Sequence, residues 1–218
     1  CDPGWIGALC DDKTCFPACD APLICEEDVG ACYLPGALVI NEIDYDQPAT
    51  DNDEFVEIYN VSSTPIPLAG VAVVLVNGAN SLATPYATFA LPPVLLPPNG
   101  YYVVCGNAAN VPNCDLDVSP DSNLIQNGAP DAVGLTLGQT LLDAVSYEGD
   151  TMAGSELSRY TETAGVPVLN SDSGAVRDIG IARYPDGADT GDNAADFHFR
   201  CATPGAANDL RPAGCNCG

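Results

Sequence analysis

From Ala37 onward, apolar and polar residues alternate along the chain, and turn-forming residues interrupt the alternation at short intervals. When apolar residues occupy every second position, they all lie on one side of the segment and can face a core. This pattern is typical of strands in a β-sandwich or barrel. The 21 glycines and 19 prolines favour short elements joined by tight turns. We therefore predict an all-β fold with nine strands, at residues 37–43, 54–61, 71–76, 86–90, 101–105, 132–137, 141–147, 180–184 and 197–200.

Asn-Gly and Asp-Gly pairs lie beside several of these strands. Such pairs supply the positive φ angles that hairpins and bulges need. We expect this geometry at four places, namely Asn77-Gly78, Asn99-Gly100, Asn127-Gly128 and Asp186-Gly187. Residues 151–175 are rich in Ser, Thr and Gly and are predicted to form a long loop.

The chain has 11 cysteines and one histidine, with no paired CxxC motif, which suits disulfides better than zinc or haem. Disulfides indicate an oxidising compartment, so we expect a secreted, extracellular or cell-surface protein. The first 32 residues contain few large apolar side chains and six cysteines, for which we predict three bridges. Their pairing stays open among Cys1, Cys10, Cys15, Cys19, Cys25 and Cys32.

The other five cysteines lie in the second half of the chain and at its end. Cys105 and Cys114 form a plausible local pair. Cys215 and Cys217 are too close together for an easy bridge, so one of them is expected to pair with Cys201. The remaining cysteine is then free or bonded to another molecule, unless a longer native chain supplies its partner.

The formal net charge is −24, from 30 acidic and six basic residues. Binding to nucleic acid or to an anionic membrane needs clustered basic residues, whereas here Lys13 is the only lysine and the arginines are scattered. We therefore exclude nucleic acid as a partner. The longest apolar stretch, residues 67–76, is shorter than the roughly 20 residues that span a bilayer, so we expect no membrane insertion. A start at Cys1, without a methionine or a signal-like run, suggests a processed or truncated secreted product.

Two parts of the chain resemble known families. The run CDPGWIGALC, from Cys1 to Cys10, resembles the last loop of an epidermal growth factor-like module, which implies a Cys1–Cys10 bridge and an extracellular setting. A longer series resembles the lamin tail domain of secreted bacterial proteins over about residues 36–208; in order, its runs are ALVINEIDYD, DEFVEIYN, PLAG, LPPNGYYVVCGN, PDAVGLTL, LLDAVSYEG, ARYPDGADTGDNAADF and ATPGAAN.

The second resemblance implies an immunoglobulin-like antiparallel β-sandwich that serves in adhesion, anchoring or assembly, and it does not imply catalysis. We therefore divide the chain into a disulfide-stapled, cysteine-rich segment at residues 1–35, the sandwich at 36–208 and a cysteine-containing tail at 209–218.

The sequence contains few of the residues on which enzyme mechanisms usually depend. No lysine follows Lys13, there is no GxSxG motif, and His198 is the only histidine. His198 alternates with Phe197 and Phe199, so we place it on the outer face of a strand. Paired carboxylates for sugar chemistry have a low prior probability, and we predict a protein without enzymatic activity.

Aspartates outnumber glutamates by 22 to 8 and concentrate in two turn regions. Short carboxylates in turns are hard oxygen ligands that suit calcium, although neither region has EF-hand spacing. The alternative is solvated turn residues on a generally acidic surface. The candidate ligands are Asp44, Asp46, Asp51, Asp53 and Glu54 in the first region, and Asp186, Asp189, Asp192 and Asp196 in the second.

Two glutamates interrupt apolar strands. Glu57 alternates with Val56 and Ile58, which should face the core, so we expect Glu57 and also Glu42 to be exposed on the other face, with a partner-facing or hydrogen-bonding role as the alternative. Asn60 begins an Asn-Val-Ser sequence that formally fits a glycosylation acceptor.

Together these patterns predict a secreted, non-enzymatic building block of a cell surface, matrix or filament. Its partners would be copies of itself or other surface components, joined through edge strands and a leftover thiol. The main alternative is a binding module for carbohydrate or protein, with exposed aromatic residues as its contacts, namely Trp5, Tyr45, Tyr59 and Tyr147.

Overall fold

The computed structural model describes residues 5–6, 12–13, 15, 18–20, 23–26, 30–47, 50–78, 85–151, 156–167 and 179–208. Strands dominate this part of the chain. They are β1 (Trp5–Ile6), β2 (Asp12–Lys13), β3 (Ile24–Glu26), β4 (Ala31–Tyr33), β5 (Leu38–Asp44), β6 (Phe55–Asn60), β7 (Ile66–Pro67), β8 (Val71–Asn77), β9 (Ala87–Ala90), β10 (Leu95–Leu96), β11 (Tyr101–Cys105), β12 (Leu116–Asp117), β13 (Asp131–Leu137), β14 (Thr140–Tyr147), β15 (Ile179–Arg183) and β16 (Phe197–Cys201). A 3-10 helix spans Glu156–Tyr160, and one helical turn, α1, spans Asn193–Asp196.

Two sheets form an immunoglobulin-like β-sandwich. One has six strands in the order β12-β11-β6-β5-β15-β16, and the other has four in the order β14-β13-β8-β9. Every pairing in them is antiparallel except that of β11 with the two-residue β12. The all-β prediction is confirmed, and each of the nine predicted strands is found within one residue of its predicted ends.

The core lies between the two sheets and is filled by the alternate apolar residues of their central strands. Ile58 of β6 and Leu75 of β8 are examples, and both are almost completely buried. Branched side chains fit the pleated surface well, which explains why runs such as VAVVLVN form strands here.

A β-bulge in β5 changes which of its residues face this core. Ile40 lies opposite Ile58, and the next pair is Glu42 opposite Glu57, so Asn41 is the additional residue. Because of it, Ile40 and Ile43 both point into the core, while Glu42 points away from it.

The outer face of the four-stranded sheet carries a close contact with the 3-10 helix. A Cβ atom on Gly134 of β13 would lie 2.6 Å from Cε1 of Tyr160, so only glycine leaves room for this ring. Val166 then forms a parallel bridge with Tyr147. The described part of residues 151–175 is thus more regular than the predicted loop.

The predicted turn geometry is found at two of the four places. Asn99 and Gly187 have positive φ angles of 55° and 70°. Gly78 and Gly128 do not, so that expectation is wrong for them. Gly78 is required for another reason, since a Cβ atom there would lie 2.6 Å from the carbonyl oxygen of Pro130.

Disulfides hold the cysteine-rich segment, in which β3 and β4 form a hairpin. One bridge joins Cys15 to Cys25 and another joins Cys19 to Cys32. The hairpin contacts the sandwich, because Glu26 accepts a hydrogen bond from the hydroxyl of Thr140. The predictions for Cys1, Cys10, Cys215 and Cys217 lie outside the described residues.

Candidate functional site

Glu54, a predicted calcium ligand, anchors a neighbouring loop. Its carboxyl group is buried at the start of β6, and its two oxygens accept the N–H groups of Leu124 at 2.7 Å and Ile125 at 2.8 Å. Burial raises the pKa of Glu54 to about 7, although both hydrogen bonds favour the charged form. Both oxygens of this side chain therefore have partners within the protein.

The other acids of the first region are connected by amide side chains. Gln47 donates from Nε2 to Asp44 at 2.8 Å and from its backbone N–H to Asp51 at 2.9 Å. Asn127 donates to both Asp46 and Asp51 at 3.3 Å. Hydrogen bonds within the chain thus hold this loop together.

Asp53 of the same region occupies a different setting. Its backbone N–H donates to Gln47 at 3.2 Å, and the residue is half-buried at a cleft of about 280 Å³. Phe55, Val111 and Ala202 also line this cleft.

Arg183, at the end of β15, is the centre of the second acidic region. The side chain is fully buried, and its guanidinium lies 4.5 Å from the centre of the Phe197 ring. Nη2 donates to both oxygens of Asp143 at 3.3 Å, and Nη1 donates to Asp196 at 3.1 Å and Asp189 at 3.4 Å. Three carboxylates therefore surround one cation.

The side chains of Arg183 and Asp143 also complete the backbone hydrogen bonding at the bulge in β5. The register between β5 and β15 ends at Glu42 opposite Ala182. Beyond it, Ile40 donates its N–H to Asp143 at 2.6 Å and accepts Nε of Arg183 at 2.8 Å. The Arg183–Asp143 pair thus takes the place of ladder hydrogen bonds and links β14 of one sheet to β5 and β15 of the other.

The four aspartates of the second region separate into different environments. Asp196 also accepts both the N–H and the hydroxyl of Thr190, at 2.8 and 2.7 Å. Asp192 precedes α1 and makes no capping hydrogen bond with its side chain. Asp186 lies elsewhere and accepts the hydroxyl of Tyr101 at 2.8 Å.

Glu42 and Glu57 are directly opposite each other on the outer face of the six-stranded sheet, and both are fully buried. The prediction that they are exposed is therefore wrong. Thr203 donates its N–H to both oxygens of Glu42, at 3.0 and 3.1 Å, and Gly205 donates its N–H to Glu57 at 2.7 Å. Residues 202–208 cover the pair, which the pattern of β5 and β6 alone does not reveal.

Asparagine side chains bind this covering segment to the sheet. Asn208 donates to the carbonyl oxygens of Asn41 at 3.2 Å and Arg183 at 2.8 Å. Asn41 in turn donates to Glu57 at 2.9 Å and Asp186 at 3.2 Å. The segment, the bulge and the loop after β15 form one polar network.

Burial, and after it the charge of Glu57, raises the pKa of Glu42 well above its ordinary value. Burial raises the pKa of Glu57 to about 7, and the charges of Asp186 and Asp115 act in the same direction. Two carboxyl groups so placed favour a state in which one of them is protonated.

Potential metal ligands come close together in the cysteine-rich segment. Within the described ranges, the one group of three potential ligands with atoms within 4.8 Å of one another is Cys15, Cys19 and Cys32. All three are in disulfides, so they offer no thiolate. The nine predicted acids do not converge in this way, and calcium binding stays a prediction.

The aromatic residues of the alternative function do not form an exposed platform. Tyr45, Tyr59 and Tyr147 are all buried, and the rings of Tyr45 and Tyr147 lie 4.4 Å apart in contact with each other. The expectation that these three are exposed is therefore wrong, and the side chain of Trp5 lies outside the described residues.

Two further expectations concern single residues. His198 is exposed on β16, as predicted. Asn60 is fully buried, and its Nδ2 donates to the carbonyl oxygens of Thr64, Leu96 and Pro97 at 2.8 to 3.0 Å. A glycan cannot be attached to this amide in the folded protein.

The remaining cysteines agree with a disulfide-bonded protein. Cys105 and Cys114 form a bridge, which is the local pair that the sequence suggests. Cys201 is also disulfide-bonded, to a residue outside the described ranges.

Sequence reasoning did not find the roles of Arg183 and Asp143. Both occur singly in apolar strands, IGIAR and TLLDAVSY, and such an isolated charge of each sign is a signal for a buried pair.

We predict that replacing Arg183 with methionine lowers the free energy of unfolding by about 3–5 kcal/mol. The substitution leaves the buried carboxyl groups of Asp143 and Asp196 without their cation. Urea denaturation measures the effect. Arg159→Met is the control, since Arg159 is exposed and should change stability by less than about 1 kcal/mol. Equal stability of the two variants would contradict this role.

We also predict that the protein is more stable at pH 5.5 than at pH 8.5. Raised pKa values mean that the folded state binds protons more tightly than the unfolded chain, so stability falls as pH rises through about 7, the pKa of Glu54 and Glu57. Thermal melting measures this trend.

The variant Glu42→Gln should reduce the pH dependence, because it removes one charge of the buried pair and keeps an oxygen to accept the Thr203 N–H. Asp121→Asn, at an exposed position, is the matched control and should leave the pH dependence unchanged. A melting temperature that rises with pH over this range would show that the carboxyl groups are not buried in this manner.

Comparison with known proteins identifies the family. Residues 34–149, just over half of the chain, match the family model of the Lamin Tail Domain, a non-catalytic immunoglobulin-like fold. The sandwich extends beyond the matched residues, since β15 and β16 belong to its six-stranded sheet. Comparison with curated proteins finds no significant match. The chain belongs to the lamin tail domain family.

Proposed function

We propose that this protein is a secreted, non-enzymatic building block of a cell surface or extracellular matrix, which associates with copies of itself. The observation that carries the proposal is that buried acidic residues bind backbone segments of the protein itself. Glu54, Asp143 and the Glu42–Glu57 pair all accept hydrogen bonds from backbone N–H groups of distant segments. These carboxyl groups therefore have a structural role. Because they fix distant segments to one another, they make the domain rigid, which suits a building block of an assembly.

The disulfides of the protein support a particular cellular compartment. Disulfides at Cys15–Cys25, Cys19–Cys32 and Cys105–Cys114 indicate an oxidising environment. In the described part of the chain, no helix is long and apolar enough to cross a membrane. The disulfides support an extracellular location.

Two features of this chain support self-association, namely its edge strands and its odd number of cysteines. Strands β9 and β16 end the two sheets, and an edge strand offers backbone groups for pairing with another chain. The number of cysteines is 11, so at least one cannot pair within the chain. We propose that this cysteine bonds to a neighbouring molecule after the surfaces have met.

We predict disulfide-linked oligomers of protein produced under oxidising conditions. They should form a ladder on a non-reducing denaturing gel and disappear on reduction. One of the two substitutions Cys215→Ser and Cys217→Ser, the one that removes the leftover thiol, should abolish the ladder. The double variant Cys105→Ser, Cys114→Ser is the control, because it removes an internal bridge and should keep the ladder. A monomeric mass with one titratable thiol per chain would reject covalent assembly.

Calcium is the remaining ligand that we propose, at the acidic loops. If it binds the folded state alone, millimolar calcium should raise the melting temperature and a chelator should lower it, with magnesium a poor substitute. Asp46→Asn should reduce the shift, whereas Asp121→Asn should not. Identical melting curves with calcium and with chelator would eliminate this proposal.

A further inference from the structure

The charge of this chain is unevenly distributed. Residues 58–114 contain no Asp, Glu, Lys, Arg or His, although the whole chain has 30 acidic residues. The stretch includes β7, β8, β9, β10 and β11, which belong to both large sheets and to the small β7–β10 sheet. The side chains that this stretch contributes to the surface are therefore all uncharged.

Exposed apolar side chains concentrate in this uncharged stretch. Seven large apolar residues are exposed in the described part of the chain, and four of them belong to it. They are Val61, Tyr86, Val94 and Leu95, and Leu95 has the largest exposed fraction of the seven, 67%. Leu95 therefore protrudes from the small β7–β10 sheet as an exposed apolar side chain.

An apolar groove lies beside Leu95. Its volume is about 260 Å³, it lies between the cysteine-rich hairpin and the β7–β10 sheet, and all the residues that line it are uncharged, including Leu23, Tyr33, Ile66, Pro67 and Leu142. Leu95 is the cross-strand partner of Pro67, so the two side chains project from the same face. A protruding residue and a groove are thus neighbours on one surface.

We propose that this surface binds a second copy of the chain, with Leu95 of each copy inserted into the groove of the other. The inference rests on the self-association proposed above and gives it a site. Because the protruding residue and the groove are adjacent, the same contact can be made twice about a two-fold axis, which closes the assembly as a dimer.

The protruding Leu95 and the neighbouring groove make the surface self-complementary, which favours a second copy as the occupant. Two molecules that each have a charge of −24 repel one another wherever acidic residues meet. The residues that line the groove are all uncharged, so contact through it brings no like charges into direct opposition, and salt screens the repulsion from the rest of each molecule. The dimer is therefore expected to strengthen as ionic strength rises.

The test measures dimerisation of the full chain by sedimentation velocity. The protein keeps its disulfides, and its free thiol is alkylated so that covalent linkage does not contribute. Leu95→Asp should weaken dimerisation by roughly tenfold or more, because it places a charge in the apolar groove. Leu95→Met should dimerise like the wild type, and Tyr184→Asp, at an exposed apolar residue outside the uncharged stretch, should do so as well.

A charge-pair experiment tests the groove itself. Leu23→Lys, at the edge of the groove, should also weaken dimerisation of the variant alone. A mixture of Leu23→Lys with Leu95→Asp should restore it as a heterodimer, since the introduced lysine and aspartate then meet in one contact and wild-type leucines meet in the other. Unchanged melting temperatures show that each variant is folded.

Two results would overturn the inference. If the wild type dimerises and Leu95→Asp does so equally well, the site is wrong and self-association stands. If the alkylated wild type remains a monomer at high salt, there is no such dimer, and the gel experiment above decides independently whether the protein assembles through its thiol.

Discussion

Hydrogen bonds from backbone N–H groups to buried carboxyl groups attach the loops of this sandwich to its strands. A chain with 30 acidic and six basic residues cannot pair most of its acids with cations. Several carboxyl groups instead accept N–H groups that have no partner in the sheets. Asp131 shows the pattern with the N–H groups of Gly78 and Gly128, at 3.1 and 3.2 Å. Each such acid joins a loop to a strand and also satisfies buried backbone groups, which would otherwise be costly.

The exception, within the part of the chain that the structure describes, is the place where an acid and a cation are both fully buried. Arg183 and Asp143 lie where the bulge in β5 interrupts the ladder, and they link the two sheets. Elsewhere, burial without a cation raises the pKa values of the acids, as with Glu57 and Asp131.

The strands and the Cys105–Cys114 bridge could be predicted because they depend on neighbouring residues, through alternation and short loops. The burial of Glu42 and Glu57 could not, since it depends on residues 202–208, which are distant in sequence and return over the sheet. Sequence proximity places Asp186 and Asp189 in one acidic region, whereas in the fold Asp186 contacts Tyr101 and Asp189 contacts Arg183. Tyr147 shares one face of β14 with Val145, so alternation along the strand already places it in the core beside Tyr45, against the expectation that it is exposed.

Amide hydrogen exchange tests most directly whether carboxyl groups hold the loops. The N–H groups of Leu124, Ile125, Thr203 and Gly205 lie outside the strands and point to Glu54, Glu42 and Glu57. If these hydrogen bonds are stable, the four amides exchange as slowly as those of the central strands. Exchange at the rate of an unprotected loop, while the strand amides stay protected, would contradict this account.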